Sequence, residues 1–81
     1  MSRVRDVVEV IARALADHPD QVRVVEAEQR GHAVVELFMA PGDLGRVIGR
    51  QGRTANAIRQ LAALAAECEG LRATVEFRDS D

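Results

Sequence analysis

Residues 45–59 read GRVIGRQGRTANAIR: glycines at 45, 49 and 52 are interleaved with arginines at 46, 50 and 53, and a helical pattern begins directly afterwards. Gly49 and Gly52 bracket two polar residues, Arg50 and Gln51. Lacking a Cβ, both glycines tolerate positive φ and let a second backbone come close. The helix that follows presents amides without intrahelical partners, at the positive end of its dipole, to whatever approaches. A phosphate satisfies both conditions.

Charge concentrates at the same place. The chain of 81 residues has a net charge of -2, yet from Gly42 to Arg59 the only acid is Asp43, against Arg46, Arg50, Arg53 and Arg59. That segment therefore carries +3 and leaves -5 for the rest. An acidic chain with one local cationic segment is expected to meet a local anion rather than to coat a polyanion through its bulk charge. Two other phosphate loops are excluded by spacing. A dinucleotide fingerprint needs G-x-G-x-x-G, and a Walker loop needs G-x-x-x-x-G-K followed by Ser or Thr. Neither occurs, and the chain has no lysine.

Outward from the turn, the elements read clearly. Residues 3–17 set Val4, Val7, Val8, Ile11 and Leu15 at helical spacing, with Asp6, Glu9, Arg13 and Asp17 opposite, and His18-Pro19-Asp20 stops that helix. Residues 22–28 and 32–40 are β-rich and joined by Gln29-Arg30-Gly31, which predicts a hairpin. In its second strand Ala33, Val35, Leu37 and Met39 share one face, with Val34, Glu36 and Phe38 on the other. Pro41-Gly42 ends that strand and a short helix leads to the glycine turn, where Gly45 is assigned to helix packing. From Thr54 to Cys68, Ile58, Leu61, Leu64, Ala65 and Cys68 fall on one side, so Cys68 is expected to be a small buried apolar residue. Gly70 ends this helix, and Leu71, Ala73, Val75 and Phe77 alternate with polar residues as a last strand. A crossover of about thirty residues carrying two helices favours a parallel pair for the last two strands. The order predicts an α/β (α+β) two-layer sandwich, a three-stranded sheet with helices on one face.

With the elements in place, the glycine stretch resembles the signature of KH domains, V-I-G-x-x-G-x-x-I-x-x-I: Val47, Ile48, Gly49, Gly52 and Ile58 occupy its positions. Ala55 stands where a larger apolar residue is usual, which thins the packing there but suits the same helix face. The element order resembles the αββααβ arrangement of type II KH domains. The resemblance covers essentially the whole chain, as a single KH domain over 1–81 with 79–81 frayed. A free-standing domain of this length with GRQGRTANAIR resembles the small bacterial single-KH proteins of the KhpA family.

The resemblance implies that Gly49 to Gly52 clamp the backbone of about four nucleotides of single-stranded RNA, with the bases in an adjacent apolar groove. Carried over, Gly49 and Gly52 allow the approach, Arg50 and Gln51 reach phosphate or sugar, Ile48 lines the groove, and Arg46 and Arg53 are auxiliary cations. Arg59 is displaced around the helix from Arg53 and ranks below them. With only Phe38 and Phe77 as aromatics, both in strands and assigned to core or dimer contacts, an RRM- or OB-type stacking platform is disfavoured. One domain then binds modestly, and dimerised copies gain avidity. The family further implies an RNA chaperone or post-transcriptional regulator of the cytoplasm, linked to cell-wall synthesis and cell elongation, that acts as a homodimer or with a larger KH/R3H protein of the KhpB type. It implies no cofactor, no metal and no catalysis. A second reading keeps the fold and assigns it to dimerisation and protein interaction, with little RNA affinity.

Other residue types agree. The single Cys68 excludes an internal disulfide, the acids have no spacing for general acid/base work, and no run approaches the ~20 apolar residues that span a bilayer.

Overall fold

The computed structural model describes residues 3–49 and 51–80. Its elements follow the expected order: α1 (Arg3–Leu15), a single 3-10 turn (Pro19–Gln21), β1 (Arg23–Gln29), β2 (His32–Met39), α2 (Pro41–Ile48), α3 (Arg53–Cys68) and β3 (Arg72–Asp79). The strands form one sheet in the order β1-β2-β3. β1 and β2 are antiparallel and joined through Arg30 and Gly31, both at positive φ (52° and 78°), as a two-residue type I′ hairpin requires. β2 and β3 are parallel, with Val35 beside Val75 and Leu37 beside Phe77.

The alternation of β2 decides where the helices lie. Ala33, Val35, Leu37 and Met39 are fully buried, and Val34, Glu36 and Phe38 are only partly covered. The helical layer therefore sits on the first set, and the opposite face of the sheet is left open. Val4, Val8 and Ala12 of α1 close over the covered face together with Ile58 of α3. Each large aliphatic side chain taken fully out of water there contributes about 1.5–3 kcal/mol. Phe77 packs partly buried against this core, while Phe38 lies on the open face with the Arg23 guanidinium 4.3 Å above its ring.

Helix α3 corrects the expected stripe. Its buried residues are Ala55, Ile58, Ala62, Ala65 and Ala66, whereas Leu61, Leu64 and Cys68 are exposed. The two stripes differ by about one residue, or 100° of rotation. Small side chains on the inner face allow α3 to pack closely on both α1 and β3, its main neighbours, and leucines there would hold the elements apart. On α1, Leu15 is likewise exposed and Ala12 takes the inward position. Among the described residues no helix is long and apolar enough to cross a membrane.

α3 ends where Gly70 was expected to end it. Leu71 donates its amide to the Ala66 carbonyl at 2.8 Å and Gly70 to that of Glu67 at 3.0 Å, the paired bonds of a Schellman cap.

Candidate nucleic-acid interface

Helix α2 has eight residues, too few to be stable alone, and its position is set by a buried carboxylate. Asp43, in its first turn, is 3% exposed. Its Oδ1 accepts the amide of Asp17 at 3.1 Å and its Oδ2 that of His18 at 3.0 Å, so α2 is tied to the segment that follows α1. Arg46, one turn on, adds to the tie. Its guanidinium donates to the Leu15 carbonyl at 3.0 Å and to Asp43 at 3.4 Å, and lies 3.2 Å from Asp17. Burial by itself raises the Asp43 carboxyl's pKa; the amides of His18 and Asp17, with the His18 side chain, outweigh it and hold the group below the usual carboxylate range.

The far end of α2 forms the turn. Gly49 donates its amide to the Gly45 carbonyl at 2.8 Å, and a Cβ on Gly49 would stand 2.8 Å from that same oxygen. No real Cβ sits that close to backbone, so any side chain at 49 forces the chain to shift. Gly52 has a different reason. It is left-handed (φ 67°), directly after Gln51 at φ 65°, and its amide reaches the Gly49 carbonyl at 3.3 Å. Two successive left-handed residues reverse the chain into α3, whose first turn contains no acid and whose cap residue, Gly52, has no side chain. Among the described residues no side chain caps that turn, which leaves it as an anion site needs.

The structure brings together Ile48, Gly49, Gln51, Gly52 and Arg53 around this turn; Arg50 lies outside the described residues. Arg53 is exposed and has no ion-pair partner among the described residues. Ile48 is half-exposed. Arg46 is placed beside the turn but with its guanidinium held by Asp17, Asp43 and Leu15, and Arg59 is turned aside, 4.9 Å above the Phe77 ring and bonded to Asn56.

A cleft of about 840 Å³ adjoins the turn, lined by Leu15, Gly42, Gly45, Arg46, Val47, Gly49, Arg53 and Thr54. Gly45 does not serve helix packing: a Cβ there, or at Gly42, meets nothing within 4 Å, so both positions open onto this space. Ile48 is not among its lining residues. The place of Leu15 and Thr54 at this site is not marked in the sequence. That of Asp43 leaves one signal, the lone acid of a basic segment at a helix N-terminus, where its charge also suits the dipole.

Comparison with known proteins is consistent across the chain's length. The family model described as "KhpA/KhpB, KH domain" matches residues 5–77. The RNA-binding protein KhpA of Aquifex aeolicus is 42% identical over 77 residues, covering 95% of this chain and 98% of that protein. Its counterpart in Halalkalibacterium halodurans is 46% identical over 77 residues (94% and 100%), and that of Mycobacterium leprae 50% identical over 60 residues (74% and 75%).

Proposed function

This chain belongs to the KhpA/KhpB KH-domain family, and on that premise we propose that it binds single-stranded RNA by clamping the sugar-phosphate backbone in the turn from Gly49 to Gly52. The observation that carries the proposal is the turn itself. A side chain is sterically barred at 49, the chain is left-handed at 51 and 52, and the first turn of α3 opens behind it with Arg53 in no ion pair among the described residues. Gly49 and Gly52 give the backbone its approach, Arg50, Gln51 and Arg53 meet phosphate or sugar, and the first-turn amides add uncharged donors. Bases extend into apolar surface beside the turn, Ile48 on one side and the cleft floored by Val47 and Gly45 on the other. Arg46 joins as an auxiliary cation by leaving Asp17 and Asp43, the two carboxylates that hold it.

The relatives' name carries RNA binding, and the family description names KhpA and KhpB together; for this chain we extend that to a noncatalytic RNA chaperone or post-transcriptional regulator acting in the cytoplasm, as a homodimer or with a KhpB-type KH/R3H protein, in the service of cell-wall synthesis and cell elongation. The decisive experiment is crosslinking and sequencing of bound RNA in cells, native protein against Arg50→Asp/Gln51→Asp. The variant is expected to lose RNA while remaining folded, because the added repulsion is confined to the turn. Unchanged recovery refutes the clamp.

The reading as a dimerisation module is favoured by one feature, the exposed Leu61 and Leu64 on the outer side of α3. It predicts that substitutions there, rather than in the turn, abolish activity in cells.

A further inference from the structure

The open face of the sheet carries a second concentration of positive charge at the end away from the glycine turn. By register, Arg23, Val25 and Ala27 of β1, Val34, Glu36 and Phe38 of β2, and Arg72, Thr74, Glu76 and Arg78 of β3 share that face. Both of its carboxylates are engaged: Glu36 accepts from Arg78 Nε at 2.9 Å and Glu76 from Arg78 NH2 at 2.8 Å. Arg72 has no such partner among the described residues, and neither does Arg30 in the hairpin turn beside it. The two are adjacent because the Arg72 amide donates to the Gly31 carbonyl at 2.8 Å.

Nearby acids do not neutralise them. Glu28 pairs with Ala33 in register and so belongs to the helix-covered side, and Glu69 turns its Oε1 to the amide of Arg3. Arg30, Gly31, His32, Val34, Arg72 and Gln29 enclose a recess of about 540 Å³, and His32 is oriented by its Nε2, 2.6 Å from Thr74 Oγ1. Arg30 itself sits at φ 52°, where a type I′ turn favours Gly, Asn or Asp.

We propose that Arg30 and Arg72, with His32 beside them, form a second phosphate subsite, one that takes the backbone of an RNA strand continuing beyond the clamp. Two guanidinium forks around a shallow recess fit phosphate oxygens bidentately, and Val34 offers apolar surface for a sugar or base edge. α3 runs from the turn to this end of the sheet, about 24 Å at 1.5 Å per residue over its length, so a strand whose four or so nucleotides are held at the turn needs further nucleotides to arrive here. The subsite therefore acts only on longer strands. It rests on the RNA-binding reading above.

The test is fluorescence anisotropy of the full chain with labelled oligouridylates of about 4 nucleotides and about 16 nucleotides, across a salt series. The variant is Arg30→Gly/Arg72→Gln, in which glycine suits the left-handed position and preserves the fold; Arg30→Lys/Arg72→Lys is the charge-keeping control. The neutral variant is expected to bind the short oligomer like the native protein, to bind the long one about tenfold more weakly, and to shrink the long oligomer's log–log salt slope by about 1–2. The lysine control is expected to keep the native slope. Native affinity for the long oligomer in the neutral variant overturns the subsite while the clamp stands, and so does an equal loss for both lengths. A variant that binds RNA normally but no longer captures an acidic protein assigns the recess to that protein and overturns it as well. Failure of the native protein to bind either length removes the RNA reading itself, and the subsite with it.

Discussion

Asp43 Oδ2 accepts the backbone amide of His18 at 3.0 Å, across 25 residues of chain. With the Asp17 amide on its other oxygen, the carboxylate sets how α2 is rotated against α1, and hence where Gly49 leaves the helix.

Asp43→Asn keeps the shape but points an amide donor at one of two donors, so it is expected to lower the melting temperature and to broaden the NMR signals of residues 49–53. The pH dependence follows from the sign of the shift. The carboxyl is held below its reference value of 3.8, so its stabilisation is present above that value and is lost as pH falls through the lower folded-state value. Melting-temperature differences between native protein and Asp43→Asn should be constant from neutral pH to the carboxylate range and shrink below it; a difference that grows in acid refutes the assignment.

The two glycines of the turn should fail differently. Gly49→Ala places a Cβ against the Gly45 carbonyl and is expected to destabilise by about 1–3 kcal/mol, as overpacking does. Gly52→Ala has room, its nearest neighbour being the Ile48 carbonyl at 3.8 Å, and loses only the left-handed preference, about 1–2 kcal/mol. Gln51→Gly relieves the same strain and should leave urea midpoints nearly unchanged while weakening RNA retention. Urea unfolding of the three variants separates steric from conformational loss.

Ile58 and Leu64 stand about 120° apart around α3, 1% and 59% exposed. Ile58→Ala should cost about 2–5 kcal/mol in equilibrium unfolding. Leu64→Ala should change stability by less than about 0.5 kcal/mol. Comparable losses would restore the leucine-lined core expected from periodicity.

Arg46 and Arg53 flank the turn with different commitments. Arg53→Gln should reduce the salt slope of RNA binding by about 1 with no change in unfolding. Arg46→Gln should cost about 1 kcal/mol or less of stability, because its ion pairs are half-exposed, and change the salt slope less. An unchanged slope by titration at several salt concentrations would show that Arg46 stays with its partners instead of meeting RNA.

Much of this architecture was readable because its determinants are local. Pro19, Pro41 and Gly70 stop elements by backbone geometry alone, the two-residue alternation of residues 33–39 names the covered face of the sheet, and the interval between Gly49 and Gly52 names the turn. What was misread was the choice between neighbouring stripes of α3. Period alone tolerates either, and the bulk of Leu61 and Leu64 drew the reading to the wrong one. The ion pairs of Arg46 and the open space at Gly45 escape the sequence for a related reason: each depends on residues distant in the chain or on empty space, and neither leaves a periodic trace.

The order of elements, the layered architecture and the location of the glycine turn are legible in the residues alone, since each follows from the backbone preferences of glycine and proline and from hydrophobic period. Which of the described arginines are paired is settled by the fold. Arg46 is pinned by Asp17 and Asp43, Arg78 by Glu36 and Glu76, while Arg30, Arg53 and Arg72 have no ion-pair partner among the described residues, because pairing is set by which strands and helices meet in space. The fold likewise decided that α3 turns its alanines inward, since the distance at which α1, α3 and the sheet can close depends on the side chains of all three at once.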